Sequence, residues 1–248
     1  MNETKQKLIL AEQKAKELFS AVEDRGLIVP GKSERTLAEE IVGLADRHFG
    51  IAGYWHKKIV RAGVNTLHPY NGNPSDRIIQ EDDILFLDFG PVFEGWEADF
   101  GRTYVIGSDP LKWKLKRDVE AAWLDANAWY AEQRSVAGAA GLTGAAGLSS
   151  AAGFKGGVGL TGAACFDYVA GLAKRYGWEF GGEIAGHIVG RFPHEQPEAG
   201  GWGLDMHPDN HDDILQPDKH GNSRHWILEI QFVDRANKIG AFFEQLLY

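Results

Sequence analysis

Four carboxylates in this chain stand where apolar side chains belong. Asp88 lies between Leu87 and Phe89, and Asp99 between Ala98 and Phe100. Glu229 interrupts "WILEIQFV", and Glu244 interrupts "IGAFFEQLL". Short apolar runs of this kind, bounded by turn residues, read as strands of a well-buried sheet. An ionised acid left unpaired in such a core costs several kcal/mol, and a whole domain is stable by only about 5–15 kcal/mol. A chain that carries four such acids must bring each of them to a partner.

The first two acids share a hairpin, "ILFLDFGPVFEGWEADFGRTYV", read as strands over about 83–89 and 97–106. Side chains alternate faces along a strand, so Asp88 shares a face with Ile84 and Phe86, and Asp99 with Glu97 and Gly101. Across the hairpin the two acids converge on one point. A salt bridge would satisfy them, with Arg102 the nearest candidate. A bound cation would satisfy them equally, because anionic oxygens are the ligands a divalent ion requires. The hairpin alone leaves both open. His187, in "EIAGHIVGRFPHEQ", adds an imidazole after a run of small residues, and His194 lies seven residues on. A lone strand histidine is ordinarily a satisfied core residue. Four inward acids together with a histidine make a set that one ion cluster would satisfy at once.

The periodicity predicts helices over 4–23, from about Thr36 to Phe49 with a Thr36/Glu39 capping box, over about 110–133, and from Thr161 to "RYGW". Strands are predicted over 52–61, around 183–191, and in a closing pair, 224–234 and 239–248. This order gives an α+β fold, an antiparallel sheet with helices segregated to one face. Residues 1–248 read as one catalytic domain, with a helical lead over 1–50. A Gly/Ala-rich stretch over about 136–160 reads as an inserted flexible segment, since "GLTGAA" occurs at 141–146 and again at 159–164.

Charge and composition exclude several classes. The net charge of −9 argues against nucleic acid as a partner. No apolar run reaches the roughly 20 residues needed to span a bilayer. The charged start, "MNETKQKLILAEQKAKELF", has no secretory h-region, and the one cysteine, Cys165, forms no internal disulfide. A cytoplasmic protein is expected, with Cys165 a buried, inert thiol rather than a nucleophile.

Asp88 and Asp99 eleven residues apart, "DFGRTY" after the second, "GHIVGRFPHE" with its two histidines, and then Glu229 and Glu244 together resemble the pita-bread metallopeptidase family. That family includes methionine aminopeptidase, Xaa-Pro aminopeptidase, prolidase and creatinase. The resemblance covers roughly residues 50–248 apart from the Gly/Ala-rich stretch. It implies the pita-bread fold and two divalent metal ions, Mn, Co or Fe with Zn less distinctive. It implies Asp88, Asp99, His187, Glu229 and Glu244 as the ligands. Asp99 and Glu244 would bridge the ions, Glu229 would also relay a proton, and His194 would stabilise the developing oxyanion. His68 in "NTLHPY" would stand beside the substrate's amine or leaving group, although its spacing differs slightly from the family's.

The implied activity is hydrolysis of an N-terminal peptide bond, Xaa-Pro or related, or of a similar small amide. A homodimer is implied by likeness to larger relatives. The chain departs from the pattern in having Ile230 rather than Pro after Glu229, and a short gap from Glu229 to Glu244 that requires a tight last hairpin. Two alternatives stay open: a metal-independent, creatinase-like C–N hydrolase, and a non-catalytic binding protein on the same scaffold. His56 in "YWHKK" lines the cleft or packs ordinarily. His207, His211, His220 and His225 lack a recognisable ligand spacing. Trp55, Tyr70, Trp96, Phe192 and Trp202 are the aromatic candidates for a cleft wall.

Overall fold

The computed structural model describes residues 3–143, 160–196 and 201–248. Two helices open the chain, α1 (Glu3–Asp24) and α2 (Glu34–His48). Strands β1 (Ile51–Tyr54) and β2 (Ile59–Ala62) follow, with a 3-10 turn at Gly63–Leu67. Then come β3 (Ile84–Phe89), β4 (Pro91–Phe93), β5 (Trp96–Glu97) and β6 (Phe100–Val105). Helices α3 (Pro110–Thr143) and α4 (Gly162–Tyr176) precede β7 (Glu179–Phe180), β8 (Gly186–Val189), β9 (His225–Asp234) and β10 (Ile239–Leu246). The main sheet has the order β2-β3-β6-β10-β9-β7, with β8 also on β9, and all its pairs are antiparallel. A small second sheet, β1-β4-β5, sits beside it.

The alternation of side chains along the central strands separates two environments. Leu85, Leu87 and Phe89 of β3 pack with α1 and α2 through Leu18, Phe19, Leu37 and Ile41. Leu228, Ile230 and Phe232 of β9, with Ala241 and Phe243 of β10, pack with α3 and α4 through Val119, Trp123, Val169 and Leu172. These two clusters draw mainly on one parity of strand residue; the end residues Ile84, Ile227 and Leu246, of the other parity, also meet helix side chains. The other parity carries Phe86 and Asp88, Glu229 and Gln231, and Phe242 and Glu244, which line a cavity on the opposite face. The helices are segregated to one face of an antiparallel sheet, as the element order predicts.

The local differences have identifiable causes. The start of α2 is capped by Ser33, whose hydroxyl accepts from the Thr36 N–H at 3.1 Å, so the cap lies three residues before the predicted one. The expected strand over 52–61 is broken into β1 and β2 by a bend that holds Trp55 and His56. Helix α3 runs ten residues beyond its expected end, to Thr143, because Ala between the glycines sustains helix. The remainder of the proposed insert, residues 144–159, lies outside the described residues. The β9–β10 hairpin is tight, as the short gap between its two glutamates requires. Its register pairs Asp234 with Ile239, and the Asp234 carboxylate accepts from the Asn237 N–H at 2.9 Å.

Gly101 is the fixed point of the sheet. It lies opposite Asp88 of β3 on one side and Glu244 of β10 on the other. A Cβ there would stand 2.4 Å from the Phe242 ring and 2.9 Å from the Glu244 Cβ. Gly101→Ala is expected to destabilise the fold by about 1–3 kcal/mol through overpacking and to displace Glu244. Chemical denaturation against the wild type measures the first effect, and a divalent-ion titration of the folded variant the second.

Candidate metal centre

The registers set three acids in one row across four neighbouring strands. Asp88 stands opposite Gly101, Gly101 opposite Glu244, and Glu244 opposite Glu229. Asp99 joins this row through the two imidazoles that flank it. Asp99 does not sit within a strand as expected; it lies between β5 and β6. His187, in β8, comes from beyond β9, where it pairs with Ile227. Its Nε2 lies 3.2 Å from Asp99 Oδ2 and 3.8 Å from Glu244 Oε1. His56 approaches from the other side, with Nε2 2.9 Å from Asp99 Oδ1 and 3.6 Å from Asp88 Oδ1.

All five residues read as ligands from the sequence, with His194 and His68, line one cavity of about 300 Å³. Among the described residues, two groups bring ligand atoms close enough to share an ion: His56, Asp88 and Asp99, and Asp99, His187 and Glu244. Asp99 belongs to both. Glu229 is half-buried and falls outside these two tight groups, although it lines the same cavity directly opposite Glu244. His68 is exposed at the cavity's edge rather than at its floor.

The electrostatics show a site with too much negative charge. Burial pushes Asp88 up to about 7, with the neighbouring charges of Asp99 and Glu229 adding to it against His56 and Arg61. Burial also pushes Glu229 up to about 7. Burial and the charges of Asp99, Asp88 and Glu229 hold Glu244 well above the ordinary carboxylate value. Asp99 goes the other way: burial opposes its ionisation, but His56 and His187 overcome it. Burial disfavours the charged imidazole in both histidines, yet the carboxylates around them raise His56 and His187 to about 9.

Arg102, the salt-bridge candidate, does not neutralise this pair. Its guanidinium donates to the backbone carbonyls of Gly101, at 2.7 Å, and Glu244, at 2.8 Å, and lies over the rings of Phe100 and Phe243 on the helix side. The buried oxygen Glu244 Oε2 has no hydrogen-bond partner. Four carboxylates against two imidazoles, one orphaned buried oxygen, and two ligand groups sharing one bridging acid form a donor set that fits a pair of divalent ions.

Several residues that shape the site are not evident from the sequence pattern. Glu97 is almost fully buried and accepts three hydrogen bonds: from the Gly190 N–H at 2.9 Å, from the His194 N–H at 3.1 Å, and from His194 Nδ1 at 2.8 Å. This fixes the imidazole's orientation, because the carboxylate grips both the ring and the backbone of the segment that carries it. Arg61, buried on β2, donates to the carbonyls of His68, Pro69, Tyr70 and Gly72, and so holds the loop that carries His68 and Tyr70 to the cavity. The signal for both was present as a charged residue inside a strand, but nothing local names their partners. Trp55, Tyr70 and Trp202 line the cavity; Trp96 is half-buried against the core, and Phe192 is exposed and does not line the cavity. His207 stacks on Trp202 with ring centroids 3.7 Å apart, and His211, His220 and His225 enter no group of ligand atoms among the described residues. Cys165 is buried in α4, and burial pushes its thiol up, as an inert core thiol requires.

The fold is shared with solved prolidase and methionine aminopeptidase structures. The model of metallopeptidase family M24 matches residues 6–245, and the chain belongs to that family. A prolidase from Thermococcus sibiricus superposes with a TM-score of 0.65 at 24% identity, covering 96% of this chain and 55% of that one. A methionine aminopeptidase from Rickettsia prowazekii superposes with a TM-score of 0.63 at 15% identity, covering 97% and 90%. An Xaa-Pro dipeptidase from Lactobacillus delbrueckii subsp. lactis is 28% identical over 100 residues, 39% of this chain and 27% of its own length. The chain thus spans just over half the length of that prolidase, and its matches to the curated relatives cover smaller shares still. No helix among the described residues is long and apolar enough to cross a membrane.

The raised groups give a sign to the pH dependence of the metal-free protein. Asp88 and Glu229 hold their protons more tightly folded than unfolded, so their stabilisation is present at acid pH and lost as pH rises through about 7. His56 and His187 add a stabilisation present below about 6.5 and lost through about 9. Asp99, held low, acts oppositely but only in strong acid. Chelator-treated protein is therefore expected to show a Tm that falls between about pH 6 and pH 9. Added Mn or Co should abolish that fall, because ions bind the deprotonated ligands. Differential scanning fluorimetry across that range measures both.

Proposed function

We propose that the chain binds two divalent transition-metal ions at Asp88, Asp99, His187, Glu229 and Glu244 and hydrolyses an N-terminal peptide bond, Xaa-Pro or related, or a similar small amide. The observation that carries this reading is the row Asp88–Gly101–Glu244–Glu229, with Asp99 grouped with both Asp88 and Glu244: acids gathered from distant parts of the chain and left without enough protein cations. Asp88 would hold one ion, His187 and Glu229 the other, with Asp99 and Glu244 shared. When bound, the ions supply Lewis-acid polarisation of the scissile carbonyl and lower the pKa of water. Manganese, cobalt or iron suits this oxygen-rich donor set, and zinc is compatible with it.

The chain's own residues supply the rest. His194 presents Nε2 to the substrate because Glu97 occupies Nδ1, and that nitrogen is the atom available to a developing oxyanion. Glu229, opposite Glu244 and raised toward neutrality by burial, is suited to accept a proton and return it to the leaving amine. His68 stands at the edge of the cavity where a substrate's amine or leaving group enters. Trp55 and Trp202 form apolar wall that excludes water around the reacting bond. The metal-independent alternative is favoured by one observation, the ion pairs of His56 and His187 with Asp99. Against it, two imidazolium charges leave the remaining acids of the site uncompensated.

Elemental analysis of purified protein is expected to find about two Mn, Co or Fe ions per chain, and none in Asp99→Ala. Protein that folds but takes up no ion at any concentration tested would exclude the metallohydrolase reading. A panel of Xaa-Pro dipeptides and N-terminal-Met peptides, with and without Mn, tests the reaction; loaded protein that cleaves none of them removes the peptidase assignment. His194→Ala should lower kcat about 100- to 1,000-fold with the metal content unchanged. Glu97→Ala should lower kcat about 10- to 100-fold for the same reason, by freeing the ring. Steady-state kinetics paired with elemental analysis separates these effects from loss of metal.

A further inference from the structure

We propose that His56 is a sixth protein donor to the metal centre, binding through Nε2 the ion held by Asp88 and Asp99. The inference rests on the metal-centre reading above and extends its five-residue ligand set.

The ring's own hydrogen bonds decide which nitrogen is free. Nδ1 of His56 faces the backbone carbonyl of Lys57. A carbonyl only accepts, so the proton of the neutral ring sits on Nδ1 and Nε2 carries a lone pair. That lone pair points at two carboxylate oxygens, Asp99 Oδ1 at 2.9 Å and Asp88 Oδ1 at 3.6 Å. Three lone-pair atoms meeting in a buried place repel one another unless a positive charge stands among them. The His56 side chain is only 6% exposed, so bulk water does not relieve the contact.

His187 repeats the same construction on the other side of Asp99. Its Nδ1 faces the carbonyl of Ile188 at 3.0 Å, again that of the next residue along the chain. Its Nε2 points at Asp99 Oδ2 and at Glu244 Oε1. Asp99 thus has an imidazole on each oxygen, each imidazole has a backbone carbonyl behind it, and each completes a three-residue group. A backbone carbonyl on the second ring nitrogen is the usual support of a metal-bound histidine. If His187 serves one ion, the matching geometry assigns His56 to the other.

The His56 ring is also held in place. Gly90 passes so close that a Cβ there would lie 2.1 Å from its Cδ2. The Trp55 ring meets it edge-on, with centroids 4.5 Å apart, and Trp55 Nε1 donates to the Ala98 carbonyl, beside Asp99. A second imidazole makes the centre less purely oxygen-donating, which favours Co, Fe or Zn over Mg and narrows the advantage of Mn.

Cobalt titrations of metal-free wild type, His56→Ala and His187→Ala, followed by visible absorption and equilibrium dialysis, test the proposal. Wild type should take up two Co ions per chain. His56→Ala should keep one and bind the second at least about tenfold more weakly, with the mirror-image loss in His187→Ala. Nitrogen-15 NMR of zinc-loaded wild type gives an answer that does not depend on a variant folding: His56 Nδ1 should remain protonated and Nε2 should shift as a metal-bound nitrogen. Two Co ions of unchanged affinity in His56→Ala, or a protonated Nε2 in the zinc-loaded protein, would overturn the assignment while leaving the five-residue centre intact. Wild type that binds no Co would remove that centre and this inference together.

Discussion

The crowding of like charges on one face of the sheet is the constraint around which the rest of this structure is arranged. Asp88, Glu229 and Glu244 stand in one row because the registers of β3, β6, β10 and β9 put them there, and Asp99 is grouped with both Asp88 and Glu244. Such an arrangement is costly in a low-dielectric interior. It persists only if the scaffold is stable enough to bear it and if something positive neutralises it. The scaffold's contribution is visible on the opposite face, where two large apolar clusters join four helices to the same strands. The same backbone that buries Leu87, Ile230 and Phe243 against helices aims Asp88, Glu229 and Glu244 the other way.

Around that row, the supporting residues fix orientation rather than add charge. Glu97 holds His194, Arg61 holds the loop from His68 to Gly72, and backbone carbonyls hold the rings of His56 and His187. Glu97 and Arg61 are themselves buried, so these two supports are rigid. This is the arrangement expected of a site that must keep its geometry when a substrate arrives. It also explains why Arg102 serves as a strap for β10 rather than as a counter-ion: its guanidinium is sandwiched between Phe100 and Phe243 on the helix side of the sheet.

Legibility from the sequence followed the range of the interaction. Periodicity located most helices and strands to within a few residues, because the alternation of Leu85, Leu87 and Phe89 with Phe86 and Asp88 is a local signal. The break at Trp55–Lys58 was not legible, since "YWHKKIVR" has no Gly or Pro and the contacts made at the bend, Trp55 and His56 against Gly90 and Trp55 Nε1 to the Ala98 carbonyl, are with a distant segment. Glu97 was visible as another acid near Asp99, but its role was not, because its partners Gly190 and His194 lie more than ninety residues away.

The sequence by itself determined that four acids stand among apolar residues, that a histidine accompanies them, and which family pattern the set resembles. Those follow from residue type and spacing along a strand, which fix the face each side chain takes. Only the tertiary structure decided that Asp99 lies outside its strand and is shared between two groups, that Arg102 turns away, and that His56 enters beside Asp88. These depend on strand register and on which loops pack over the sheet, and pairings between distant segments are set by the whole core rather than by any stretch of chain alone.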